Sequence, residues 1–248
     1  MTEDLDTLVR RVDEDRWLAS RFAPADVRRR LIALYAVNYE IARTSETVRE
    51  PGLGDVRLEW WRSALEEIHQ GRGTRSHPAL DAYARAHAQT PFSFGLIEAL
   101  IAARRTDWEP RPFATRAAFD DYVAATAGGL MRLAIEACGA VNADEATDRF
   151  VTRAGWLWGA TGLLRAEAVL RTRGREVLPL AADRLARDAA EKFRDLKMAP
   201  GPRSDVFPAV GYVALVPGYL RALSQGQTNT PLLMRQLKLV AASATGRF

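Results

Sequence analysis

RRRLIALYAVNYEIARTSE, residues Arg28 to Glu46, decides how the chain folds. Leu31, Leu34, Tyr35, Asn38, Ile41 and Ala42 recur every three or four residues, which puts them on one stripe of a helix. Pro24 stops whatever precedes it, so the helix is expected over about Ala25 to Val48. It opens on arginines, turns apolar, and ends in a polar segment, ARTSE. A stripe of this kind must be buried by other helices, and the rest of the chain supplies them.

Upstream, Leu5 to Arg21 reads as one amphipathic helix. Downstream, the Pro and Gly of EPGLGD (Glu50 to Asp55) read as a turn. VRLEWWRSALEEIHQ reads as a helix stopped at Gly71. Ser76 is placed to cap the next helix, and Thr90-Pro91 to start another through Arg105. Thr115 is expected to cap a helix through Cys138, with Gly128-Gly129 inside it marking a kink, a close helix contact or backbone approach to a ligand, packing being the first reading. Asn142 is expected to cap a helix to about Arg171. Further helices fall near 181–197, 209–224 (interrupted by Pro217) and 232–243. No alternating strand pattern, repeat or linker stands out. The expectation is one all-α domain over 1–248, a bundle of about ten helices.

The 248 residues are 48% hydrophobic, enough for a sizeable core. The net charge of +4 fits a solvated basic surface first, and an anionic membrane surface or phosphorylated ligand second. No basic run is interleaved with aromatics, so nucleic acid is not an expected partner. Cys138 is the single cysteine and sits in an apolar context, LAIEACGAV, so it reads as an inert thiol in a reducing compartment. The acidic opening resembles neither a secretory signal nor a transit peptide. No apolar run is expected to approach the roughly 20 residues that span a bilayer, giving a cytoplasmic protein, at most peripheral at the inner face of the membrane.

The order of the segments resembles the squalene/phytoene synthase family. DRWLASRFAPADVRRRLIALYAVNYEIA is similar to its opening and LEWWRSALEEI to its third helix. AFDDYVAATAGGLMRLAIEACG is similar to its Tyr…Ala-Gly helix, and GREVLPL to the loop after its second motif. The resemblance implies an isoprenoid synthase-type bundle. It also implies two Asp-x-x-x-Asp motifs, whose carboxylates at i and i+4 share a helix face and hold Mg²⁺ on a diphosphate. Here the first motif falls on Ala42, Arg43 and Glu46, and the second on Ala166 and Leu170. One carboxylate in register cannot replace four. The segments AVNYE and Arg165-Ala166 are similar to a branch of the family that has lost both motifs and serves in assembly of respiratory complex I.

The resemblance therefore implies no catalytic residue, no metal and no cofactor. It implies a protein partner in respiratory-complex assembly, with an isoprenoid or phospholipid as ligand. The alternatives are a prenyltransferase, which alone would need Mg²⁺, and a lipid carrier. Tyr35 and the arginines 29, 30, 165, 171, 173 and 175 are the candidates for binding phosphate, because Arg holds phosphate oxygens without a metal. The competing reading of Arg29, Arg30, Arg165, Arg171, Arg173 and Arg175 is that they neutralise Glu40, Glu46 and Glu167 across the bundle. Asp55 and Glu59 could pair on a metal but fit a salt-bridged surface helix. His69, His77 and His87 lack ligand spacing, and Ser20, Ser45 and Ser93 lack a hydrolase signature.

Overall fold

The computed structural model describes residues 4–48, 50–140, 145–198 and 203–248. Asn142 lies outside them. The described residues are helical, with no strand among them. In order the helices are α1 (Leu5–Val12), α2 (Glu14–Ser20), α3 (Ala25–Ala42), α4 (Thr44–Thr47), α5 (Pro51–His69), α6 (Pro78–Gln89) and α7 (Phe94–Ala103). There follow α8 (Arg116–Val123), α9 (Gly129–Ala137), α10 (Glu145–Thr172), α11 (Ala182–Met198), α12 (Phe207–Val210), α13 (Val216–Ser224) and α14 (Leu232–Thr245).

Two helices carry the rest. α3 packs against α1, α2, α6 and α9, and α10 against α8, α9, α11 and α13. The burial of α3 exceeds a stripe: Leu31 through Val37 are all buried, as suits a helix apolar on every side. The main core runs from Val9 to Phe248. A smaller cluster around Phe119, Val177 and Leu185 joins it through Trp156 and Leu220.

Several expected boundaries move, each for a local reason. The first helix splits at Asp13, whose φ of −147° leaves the helical region. Glu50 to Asp55 is not a turn. Glu50 is the N-cap of α5 and Pro51 occupies its first turn, where a missing N–H costs no bond. Gly54 is there for packing, since a Cβ on it would lie 2.2 Å from the Trp108 ring. That ring is fixed by its Nε1–H donating to the Val48 carbonyl at 2.9 Å. His77, not Ser76, caps α6, its Nδ1 accepting from the Ala79 N–H. α7 begins only at Phe94. Thr115 caps α8 as expected, accepting from the Ala118 N–H. Pro217 sits in the first turn of α13 and starts it.

Between α8 and α9, Ala124–Gly128 form a π-helical turn. α10 passes over it at backbone contact: a Cβ on Gly155 would stand 2.6 Å from the Gly128 Cα. Gly155 is therefore the residue that the helix contact requires, whereas a Cβ on Gly128 or Gly129 would meet nothing nearer than 3.7 Å. One correction concerns hydropathy. Ser204–Ser224 is long and apolar enough to cross a membrane by length and composition, although 72% of its most apolar window is buried inside the bundle.

Candidate functional site

The end of α3, α4, the 3₁₀ turn Arg104–Trp108, α8 and the last turns of α10 surround a cavity of about 300 Å³. Ala42, Arg43 and Glu46 line it together with Leu163, Leu170, Arg175 and Val177 and with Arg104, Asp107 and Tyr122. A second cavity of about 180 Å³ shares Arg104, Tyr122 and Leu163 and reaches Arg16, Asn38 and Trp158.

Its electrostatics centre on Asp107, which is buried. Tyr122 donates its hydroxyl to Asp107 Oδ1 at 2.8 Å and accepts from Arg104 at 2.9 Å. Arg104 also reaches Asp107 Oδ2 at 3.4 Å, and Arg175 stands 3.7 Å from Oδ1. Burial opposes the Arg104 charge, but Tyr122 and Asp107 outweigh it and hold the guanidinium above its ordinary value. Burial pushes the Tyr122 phenol up against the pull of Arg104, so it stays a neutral donor. In this network, Arg104, Asp107 and Tyr122 were not among the residues singled out from sequence. Tyr122 had a signal, as the Tyr of the Tyr…Ala-Gly helix. Arg104 and Asp107 lie at a helix end leading into a Pro-rich connector, where no periodicity marks them.

The structure brings Ala42, Arg43, Glu46, Leu170 and Arg175 to one cavity. Ala166, one turn before Leu170, is half-buried and does not line it. Glu46 faces Arg173 across the bundle at 3.6 Å, while Arg43 pairs with Glu40 at 3.3 Å and Arg171 with Glu167 along α10. Arg29, Arg30, Tyr35 and Arg165 are elsewhere. Arg29 and Arg30 line a groove between α3 and α6, where Arg30 donates from Nε to the Ala137 carbonyl at 2.8 Å and ties α3 to α9. Tyr35 is 1% exposed, its hydroxyl without a protein partner, and burial holds its phenol well above its ordinary value. Arg165 lies 3.7 Å over the Tyr219 ring and donates to Thr228 and Asn229.

The other residues weighed from sequence are engaged structurally. Asp55 lies 3.2 Å from Arg105, and Glu59 2.7 Å from Arg62. His69 Nε2 shares a 2.8 Å hydrogen bond with the Tyr83 hydroxyl, and burial lowers His69 to about 4. His87 accepts from the Phe92 N–H. Burial pushes the Cys138 thiol up to about 12.

The positions where the resemblance puts metal-binding carboxylates thus carry Ala42, Glu46, Ala166 and Leu170. Glu46 is already opposite a guanidinium, and Asp107 is held by its own partners. Among the described residues no three His, Cys, Asp or Glu side chains converge. This donor set does not fit a cluster of Mg²⁺ ions. Three guanidiniums against two carboxylates leave the lining electropositive, which suits an anion.

The architecture is that of the squalene synthase-type helical bundle. A dehydrosqualene synthase solved with a ligand superposes with a TM-score of 0.76 at 14% identity, over 98% of this chain and 94% of that one. Squalene synthase HpnC from Alicyclobacillus acidocaldarius gives 0.64 at 18% identity, over 98% and 92%. The squalene/phytoene synthase family profile matches residues 9–215, and the chain belongs to that family. Within it, the chain is similar to complex I assembly factor 6 of NADH dehydrogenase (ubiquinone). The Mus musculus protein is 24% identical over 173 residues, 70% of this chain and 51% of that one. The Homo sapiens protein is 23% identical over 173 residues, with the same coverage. The Drosophila melanogaster homolog is 24% identical over 181 residues, 70% and 53%. The chain spans about half the length of the curated relatives it matches.

Proposed function

We infer that this chain is a non-catalytic member of the squalene/phytoene synthase family that acts in assembly of respiratory complex I at the cytoplasmic face of the membrane. One observation carries the reading. The cavity where the family's reaction needs paired carboxylates presents Ala42 and Leu170, with its carboxylates Glu46 and Asp107 each facing arginine. Mg²⁺-assisted departure of diphosphate lacks its ligands there. The similarity to complex I assembly factors supplies the direction of the role. Deleting the gene in its own organism should lower NADH:quinone oxidoreductase activity and leave a smaller complex. Normal activity and normal complex size would remove the assembly role.

A second reading is favoured by the arginines. Arg43, Arg104 and Arg175 border one cavity, and a guanidinium fork matches phosphate oxygens. The cavity then holds the anionic head of an isoprenoid or phospholipid without reacting it. Incubation with farnesyl diphosphate and Mg²⁺ separates this from transfer. Bound lipid in a native mass spectrum with no released diphosphate supports holding; condensation product or diphosphate establishes a prenyltransferase.

A further inference from the structure

α14 is apolar on both sides. Leu239 and Ala242 face the core, and Arg235 is clamped beside them by Glu14 at 2.5 Å and Asp15 at 2.7 Å. At 100° per residue, Leu233, Leu237, Val240 and Ala244 fall on the opposite pole. That pole meets solvent: Leu233 is 64% exposed, Met234 60%, and Leu237 and Val240 56% each. A surface helix ordinarily carries polar residues there, and a contiguous apolar patch marks a docking face.

Charge identifies what docks. Beside α14 and against α13 runs a groove of about 470 Å³ with Phe193, Leu215 and Phe248 in its lining. Lys197, Arg221 and Lys238 line it, and no Asp or Glu does. These three cations are exposed and, among the described residues, make no ion pair. Met234 flanks the apolar pole and lines the groove beside Lys238, one turn on, so apolar pole and cationic groove adjoin along α14.

We propose that this surface seats the protein on an anionic phospholipid bilayer. α14 lies in the interfacial plane, with Leu233, Met234, Leu237 and Val240 among the acyl chains. Lys197, Arg221 and Lys238 meet the headgroup phosphates. Two other occupants fit less well. A second copy in a two-fold contact would bring the same three cations toward their own images. A protein interface core is rich in aromatics and arginine, whereas this pole is wholly aliphatic apart from Met234. The inference deepens the assembly reading by giving it a membrane-facing side, and it can fail separately, because vesicle binding needs no respiratory complex.

The test is flotation of the full chain with phosphatidylcholine vesicles, with and without phosphatidylglycerol. Binding is expected only to the anionic vesicles and should weaken with salt. Lys197→Gln, Arg221→Gln and Lys238→Gln should each lower the partition coefficient about fivefold. Leu237→Ser should lower it by tenfold or more. Unchanged thermal unfolding of these exposed-site variants shows that the bundle is intact. Absence of flotation at low salt, or flotation indifferent to Leu237→Ser, overturns the proposal. So does a concentration-dependent dimer that Leu237→Ser dissolves. A protein cross-linked in cells through a photoreactive group at position 237, in place of lipid, overturns it as well.

Discussion

Replacing Asp107 by alanine removes the one carboxylate shared by Tyr122, Arg104 and Arg175. What remains is a buried guanidinium: Arg104 keeps the Tyr122 oxygen, while its Nε already has no protein partner. Deleting one side of a buried ion pair costs about 3–5 kcal/mol, because the other charge stays desolvated. The Arg104 and Arg175 side chains keep 18% and 20% of their surface exposed and recover some water, so the low end applies, about 3 kcal/mol. For a chain of this size that is a drop in Tm of roughly 6–12 °C. Asp107→Asn keeps an acceptor for Tyr122 and should cost about half as much. Adding Tyr122→Phe to Asp107→Ala should cost less than the two single losses summed, since both break the same network. The assay is urea unfolding followed by far-UV circular dichroism. If Asp107→Ala shifts stability by less than about 1 kcal/mol, Asp107 does not hold the network and the electrostatic account of the cavity falls.

Further outcomes follow from other contacts. Gly155→Ala drives a methyl into the Gly128 backbone and should cost about 1–3 kcal/mol in chemical denaturation, whereas Gly162→Ala, with open space around it, should not destabilise. Thr115→Ala removes the α8 cap and should cost about 1 kcal/mol. His69 has a folded pKa of about 4, below the 6.5 of the unfolded chain, so the stability it contributes is full above pH 6.5 and is lost as pH falls toward 4. His69→Gln should flatten the fall of Tm across that window relative to the parent. Cys138 should resist iodoacetamide at pH 8 in the folded protein and react readily in urea, because burial suppresses its thiolate.

How much was legible depended on whether the signal was local. The identity of α3 was plain from its spacing, and Thr115 from its chemistry. The stretch Glu50 to Asp55 misled because Pro and Gly read as a turn, although Pro is at home in a first helical turn and Gly54 answers to Trp108, far along the chain. The degenerate motif positions could be found from segment order, since Ala42 and Leu170 occupy fixed places near the ends of the two hub helices and Glu46 follows directly, on α4. The Arg104–Asp107–Tyr122 network could not, because it joins a helix end, a 3₁₀ turn and α8. Nor could the dispersal of the arginines. Order along the chain says which segments rim a bundle but not which way a side chain turns, and Arg30 and Arg165 turn to backbone carbonyls.

The contact between Gly155 and Gly128 has a mechanical meaning. Two helices that touch at backbone atoms cannot slide, because any shift of register drives a side chain into a space only glycine can occupy. The wall formed by α8, the π turn, α9 and α10 therefore moves as one plate. Widening of the 300 Å³ cavity is left to its opposite rim, where α4 and the residues after α10 are bridged by Glu46 and Arg173, both more than half exposed. That exposed pair is screened by salt and holds its rim far less firmly than the glycine contact holds the opposite wall.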